Sequence, residues 1–237
     1  MNIKNKQIGN LILQAIFPLI TWGIYTRIHF SNLLGNHSFQ LLTVFAIVFV
    51  FLGKQISNKG KPNWSVITII DLILLGLLWL VAPTISWSAI WLLTINVVTI
   101  NLLFVKNLIN DNYSEWLLFS LSYGTGIVMA GQLLINNFIN SQQLLVLIIL
   151  IFSNLLFSFP HFIKKEPPFL VLISIICFIL IFGFALSLSV EKLIALALID
   201  LGFLAIESQP NLLKLSIKWP VGLAFNLLTS LVIFILS

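Results

Sequence analysis

Charge is the scarcest commodity in this sequence. Its 237 residues include 12 basic and 7 acidic side chains, 8% of the chain, where an ordinary soluble domain carries about 25%. A soluble fold of this size needs far more polar surface than that. The deficit therefore excludes a soluble globular domain, and an apolar content of 59% excludes disorder. Cysteine is nearly absent too. The single Cys177 cannot close an intramolecular disulfide, and within its apolar run it reads as a small buried hydrophobe. Catalytic signatures are missing: there is no Gly-x-Ser-x-Gly, no His-Glu-x-x-His and no glycine-rich phosphate loop. His29, His37 and His161 are too scattered to suggest a metal site, so no metal or cofactor is expected. No myristoylation or prenylation signal is present.

What the chain does have is hydrophobic length. Mean hydropathy is +1.10, and a membrane-spanning helix needs about 20 mostly apolar residues. About nine segments qualify, some of them short: Asn10–His29, Phe39–Gly53, Trp64–Ala82, Ser86–Val105, Trp116–Ile135, Leu144–Phe159, Phe169–Leu186, Ser189–Ile206 and Trp219–Leu236. The first follows Lys4 and Lys6 without a clear small-x-small cleavage site and reads as a retained helix. Pro18 is expected to kink it. Pro160 and the Pro167–Pro168 pair should end the sixth segment, and Pro220 should sit in the first turn of the ninth. The expectation is an all-α, multi-pass transmembrane bundle forming one domain over residues 1–237.

The few charges then orient it. With nine crossings, Lys4, Lys6, Lys54, Lys59, Lys61, Lys106, Lys164, Lys165, Lys214 and Lys218 share one side, leaving only Arg27 and Lys192 of the 12 basic residues on the other. That asymmetry places the N-terminus in the cytoplasm and the C-terminus outside, in a plasma or inner membrane. The lysines flank helices and serve topology and anionic headgroups, so nucleic acid is not an expected partner. Membrane lipids are.

Polar residues inside the segments are the candidate sites. Asp71 and Asp200 lie near the middles of the third and eighth segments, where carboxyls are costly and usually face the bundle interior. They suit a proton or cation site, or a neutral carboxyl hydrogen-bonding between helices, and the second role is the commoner. Asn96 and Asn101 could line a cavity or join helices. In the fifth segment, Gly126 and Ala130 form a small-xxx-small step for close packing. In the sixth, Asn154, Ser158, His161 and Lys165 share one helical face. With Lys54, Asn101 and Lys106 they make a candidate ligand or headgroup site at the cytoplasmic mouth, weighed evenly against an ordinary basic helix end. No catalytic residue is assigned.

Nine helices, a cytoplasmic N-terminus and polar loops after the second and sixth segments resemble the UbiA superfamily of intramembrane prenyltransferases. That resemblance implies aspartate-rich loops that hold Mg²⁺ against an isoprenyl diphosphate. Here the second loop, Lys54-Gln55-Ile56-Ser57-Asn58-Lys59-Gly60-Lys61, has three lysines and no acid. After Asn154, Ser158 and Phe162 stand where aspartates would be expected, and Glu166 is the only acid nearby. The chain is also similar to the YwiC-like family of bacterial integral membrane proteins. The similarity rests on Lys6-Gln7-Ile8-Gly9, although that family usually has histidine where Ile8 stands. It rests too on Asn101-Leu102-Leu103-Phe104-Val105-Lys106 followed by Asn107, Asn110 and Asp111. It implies a scaffold rather than a reaction. Three functions remain open. The first is a UbiA-like scaffold binding a lipid or isoprenoid without magnesium-diphosphate chemistry, more binder than enzyme. The second is a small permease component using Asp71 and Asp200. The third is a non-catalytic membrane subunit or assembly factor.

Overall fold

The structure, a computed structural model, describes residues 3–28, 35–57, 63–105, 111–163, 169–208 and 215–234, with side chains from residue 12 onward and none at 215–217. The described residues are all helix and connection, with no strand. Ten helices follow one another: α1 (Ile3–Thr26), α2 (His37–Ser57), α3 (Trp64–Val81), α4 (Trp87–Leu102), α5 (Asn112–Ser122), α6 (Thr125–Asn136), α7 (Ser141–Phe162), α8 (Phe169–Ala185), α9 (Val190–Glu207) and α10 (Leu215–Phe234).

Local chemistry fixes several starts. The side chains of Asn63, Ser86 and Asp111 accept from the backbone N–H of Val66, Ala89 and Ser114, capping α3, α4 and α5. Asn140 and Gln143 close a reciprocal capping box on α7. α6 ends at Asn137, which takes the left-handed conformation (φ 59°).

Four stretches are long and apolar enough to cross a membrane: His37–Ile56, Trp64–Val81, Asn112–Asn136 and Ser141–Phe162. Shorter apolar helices span Ile12–Thr26, Trp87–Leu102, Phe169–Ala185 and Lys218–Phe234. The outside of the bundle is correspondingly greasy. Trp79 is 79% exposed and Leu170 80%, an arrangement that water penalises and lipid does not.

The helices differ from the sequence expectation in several places, beginning with α1, which starts at Ile3 rather than Asn10. The second helix runs His37–Ser57, longer than Phe39–Gly53, because polar His37, Ser38 and Lys54 continue its turns beyond the apolar centre. The fifth segment is two helices, α5 and α6, broken at Tyr123–Gly124. Pro160 lies within α7, whose last turn continues through Phe162, and Pro220 lies inside α10 because that helix already begins at Leu215. Cys177 is exposed on α8 rather than buried.

One hydrophobic cluster draws on all ten helices. α7 occupies its middle, packed against α5, α6, α8 and α10, while α1 lies against α10, α2 and α6. Small residues set the closest crossings. A Cβ on Gly222 of α10 would sit 2.2 Å from the Phe157 carbonyl oxygen of α7, and one on Gly126 of α6 2.7 Å from the Leu92 carbonyl oxygen of α4. At Gly126 the close approach expected of a small residue is made against α4.

Candidate functional site

The most unusual local feature is the break between α5 and α6. Gly124 turns the chain through φ +84°, a conformation that glycine adopts without penalty. No other residue would fit, since a Cβ there would collide with the Trp22 indole. A break inside an apolar bundle leaves backbone carbonyls without helical partners, and in such surroundings each needs a donor. Asn154 of α7 supplies two. Its Nδ2 donates to the carbonyl oxygens of Ser120 (3.2 Å) and Tyr123 (2.9 Å). Its Oδ1 accepts from Asn226 Nδ2 of α10 at 2.8 Å. One asparagine thereby ties three helices to the break.

Ser158, one turn along α7, shares a 3.2 Å hydrogen bond with Ser120. Trp116 donates its indole N–H to the Leu155 carbonyl oxygen at 2.8 Å. His161 continues the face, its ring 5.0 Å from that of Trp219. Phe119, Tyr123, Asn154, Phe157, Ser158, Trp219 and Asn226 are among the residues around a small cavity between α5, α7 and α10, with room for roughly one water.

Further along the bundle the polar lining continues without closing its hydrogen bonds. Asp200 of α9 is fully buried, and both carboxylate oxygens lack a partner. The Tyr25 hydroxyl of α1 lies beside Ser153 of α7 and within electrostatic reach of Asp200, yet makes no hydrogen bond of good geometry with either. Ser153 Oγ, Asn226 Oδ1 and Thr229 Oγ1 are buried and unpartnered as well.

The other intramembrane acid sits elsewhere. Asp71 of α3 is half-buried and accepts from Asn101 Nδ2 of α4 at 2.9 Å. Asn101 also donates to its own turn at Val97 (3.1 Å). The expected sites therefore divide into groups. Asn154, Ser158 and His161 lie on one face of α7. Asp71 and Asn101 form a separate pair. Asp200 belongs to the α1–α7–α9–α10 core. Lys54 stands at the end of α2, and Lys106 and Lys165 fall outside the described residues.

The positions that the UbiA resemblance would give to metal-holding aspartates do not fit Mg²⁺. Ser158 is engaged with Ser120, and Phe162 packs its ring 5.2 Å from Phe119. Neither offers a carboxylate. Among the described residues, no three His, Cys, Asp or Glu side chains cluster.

Two open clefts lie along the end of α1. One, about 260 Å³, runs between α1, α2 and α6, lined by Leu19, Ile20, Trp22, Gly23, Thr26, Ile28, Leu42, Thr43, Ala46 and Ile127. Its two threonines spend their hydroxyls on their own helices, Thr26 on Trp22 and Thr43 on Phe39. The walls are in effect hydrocarbon. The other, about 630 Å³, shares Ile20, Gly23 and Ile28 and adds Ile24, Arg27, Ile233 and Phe234. The Arg27 guanidinium lies 5.2 Å from the Phe234 ring centroid at this cleft. Sequence reading counted Arg27 for topology only and found neither cleft, because both depend on how α1 meets α2, α6 and α10.

Comparison of the chain with family models, curated proteins and solved structures finds no match.

Proposed function

We propose that the chain is a multi-pass protein of the plasma or inner membrane that binds a long-chain lipid or isoprenoid beside α1, without magnesium-diphosphate chemistry. In this reading α5 and α6 together make one crossing, the helices make nine, the N-terminus faces the cytoplasm and the C-terminus the outside. The arrangement is UbiA-like and the chain a YwiC-like scaffold, a binder and not a prenyl-transferring enzyme.

The observation that carries the reading is the pair of clefts meeting at Gly23. They offer an apolar track for a hydrocarbon chain and, at Arg27, a guanidinium suited to an anionic headgroup. Gly23 has open space where a side chain would go. Gly23→Phe therefore fills the track from within while leaving the core untouched. Native mass spectrometry of protein purified in mild detergent should find a co-purified lipid on the wild type and lose it in Gly23→Phe. A wild type that arrives without lipid contradicts the proposal. The permease reading keeps one observation in its favour, the buried Asp200. Asp71 instead accepts a hydrogen bond from Asn101.

A further inference from the structure

We propose that Asp200 is the charged ligand of a monovalent-cation site in the bundle core, completed by neutral oxygens from α1 and α7 and faced by those of α10. The proposal is independent of the lipid reading.

Asp200 is 0% exposed and neither oxygen has a hydrogen-bond partner. An ionised carboxylate in hydrocarbon needs a compensating positive charge. Among the described residues, no side chain bonds to this carboxylate. Of the helices packed on α9, α8 brings no charged residue among those described, and α7 brings only His161, two turns beyond Ser153. Lys218 of α10 is bonded to Glu207 at 2.5 Å. Lys192, two turns before Asp200 on α9, donates to the Ile233 carbonyl oxygen at 3.2 Å. Arg27, just past the end of α1, lies over Phe234. Among the described residues, Lys218, Lys192 and Arg27 are thus each committed elsewhere.

What the helices packed around α9 offer instead is oxygen. The Tyr25 hydroxyl and Ser153 hydroxyl are 1% and 0% exposed, adjacent to one another, and unpartnered. On α10, Asn226 Oδ1 and Thr229 Oγ1 are also buried and unpartnered, one turn apart on the same face. Ring contacts hold this face in register. Phe225 lies 5.3 Å from Phe203 of α9 and 6.1 Å from Phe157 of α7. So many unpaired oxygens in one core are rare in a native protein and mark a missing partner. A hard cation takes hydroxyl, amide and carboxylate oxygens together. One carboxylate balances one positive charge, which selects a monovalent ion over Mg²⁺ or Ca²⁺. A proton competes for the same carboxylate.

The test is thermal unfolding of the detergent-purified full chain in sodium, lithium, potassium or choline chloride at constant ionic strength, at pH 8.5 and 5.5. The expected result is a saturable rise in Tm with at least one alkali cation over choline at pH 8.5. At pH 5.5 the same rise should need more salt, up to tenfold per pH unit where the proton dominates. Asp71→Asn should keep the response and Asp200→Asn should abolish it. Ser153→Ala, which removes one neutral ligand, should retain Tm in choline and shift the half-saturating concentration upward several-fold. Alkali salts indistinguishable from choline at both pH values overturn the proposal. So does a cation response that survives in Asp200→Asn, or one that is unchanged in Ser153→Ala.

Discussion

Replacing Asn154 by leucine, a side chain of nearly the same size, keeps the packing and removes the polar junction. Three hydrogen bonds go at once: those to the Ser120 and Tyr123 carbonyl oxygens and that from Asn226. Interhelical hydrogen bonds in membrane bundles average about 0.6 kcal/mol each, which sets a floor of about 2 kcal/mol. The orphaned groups add to it, because Ser120, Tyr123 and Asn226 are buried. At about 1–3 kcal/mol for an unsatisfied buried group, the total reaches about 4 kcal/mol. For a chain of this length the floor alone corresponds to a fall in Tm of about 4–8 °C. Thermal unfolding of Asn154→Leu in detergent measures it. Asn226→Leu should cost less, since it leaves both bonds to the break intact, and the double variant should cost less than the two single losses added together. An Asn154→Leu protein within about 0.5 kcal/mol of wild type would refute the claim that this side chain holds the broken helix.

Gly124→Ala should be destabilising by more than the ~1–2 kcal/mol of a left-handed alanine, because its methyl group also meets Trp22; the same Tm assay reads it. Gly222→Ala drives a methyl group into the Phe157 carbonyl oxygen and should lower Tm or abolish the monodisperse peak in gel filtration. Gly76→Ala on α3, with nothing within 4 Å, should be neutral or gain up to ~1 kcal/mol. Lys218→Met strands Glu207, whose side chain is 5% exposed, and should cost about 3–5 kcal/mol; Glu207→Gln combined with Lys218→Met should recover much of it.

The helices were legible because hydropathy and length govern them, and most segments reappear within a few residues. The break at Gly124 was harder. Ser120, Ser122, Tyr123, Gly124, Thr125 and Gly126 form the most polar run of the apolar segments, and composition alone cannot separate a polar continuous helix from one interrupted by a left-handed glycine. The Asn154–Ser158 stripe on α7 was readable from spacing, but its purpose was not, since its partners come from α5 and α10. Asn226, Thr229 and Ser230 carry a similar stripe on α10 and could have been found by the same spacing. Asp71 and Asp200 looked alike in sequence. Only packing separates a half-buried carboxylate satisfied by Asn101 from a fully buried one with no partner. Tyr25 carried no local signal at all, because it matters through Ser153 and Asp200, each more than a hundred residues away, and Ser153 carried none either.

The account rests on these helices crossing a membrane an odd number of times, with α5 and α6 counted as one passage. Reporters fused separately to the two ends read this directly, one fluorescent only in the cytoplasm and one active only outside. The account predicts a cytoplasmic signal at the N-terminus and an external signal at the C-terminus. Both ends reporting from the same side would contradict it.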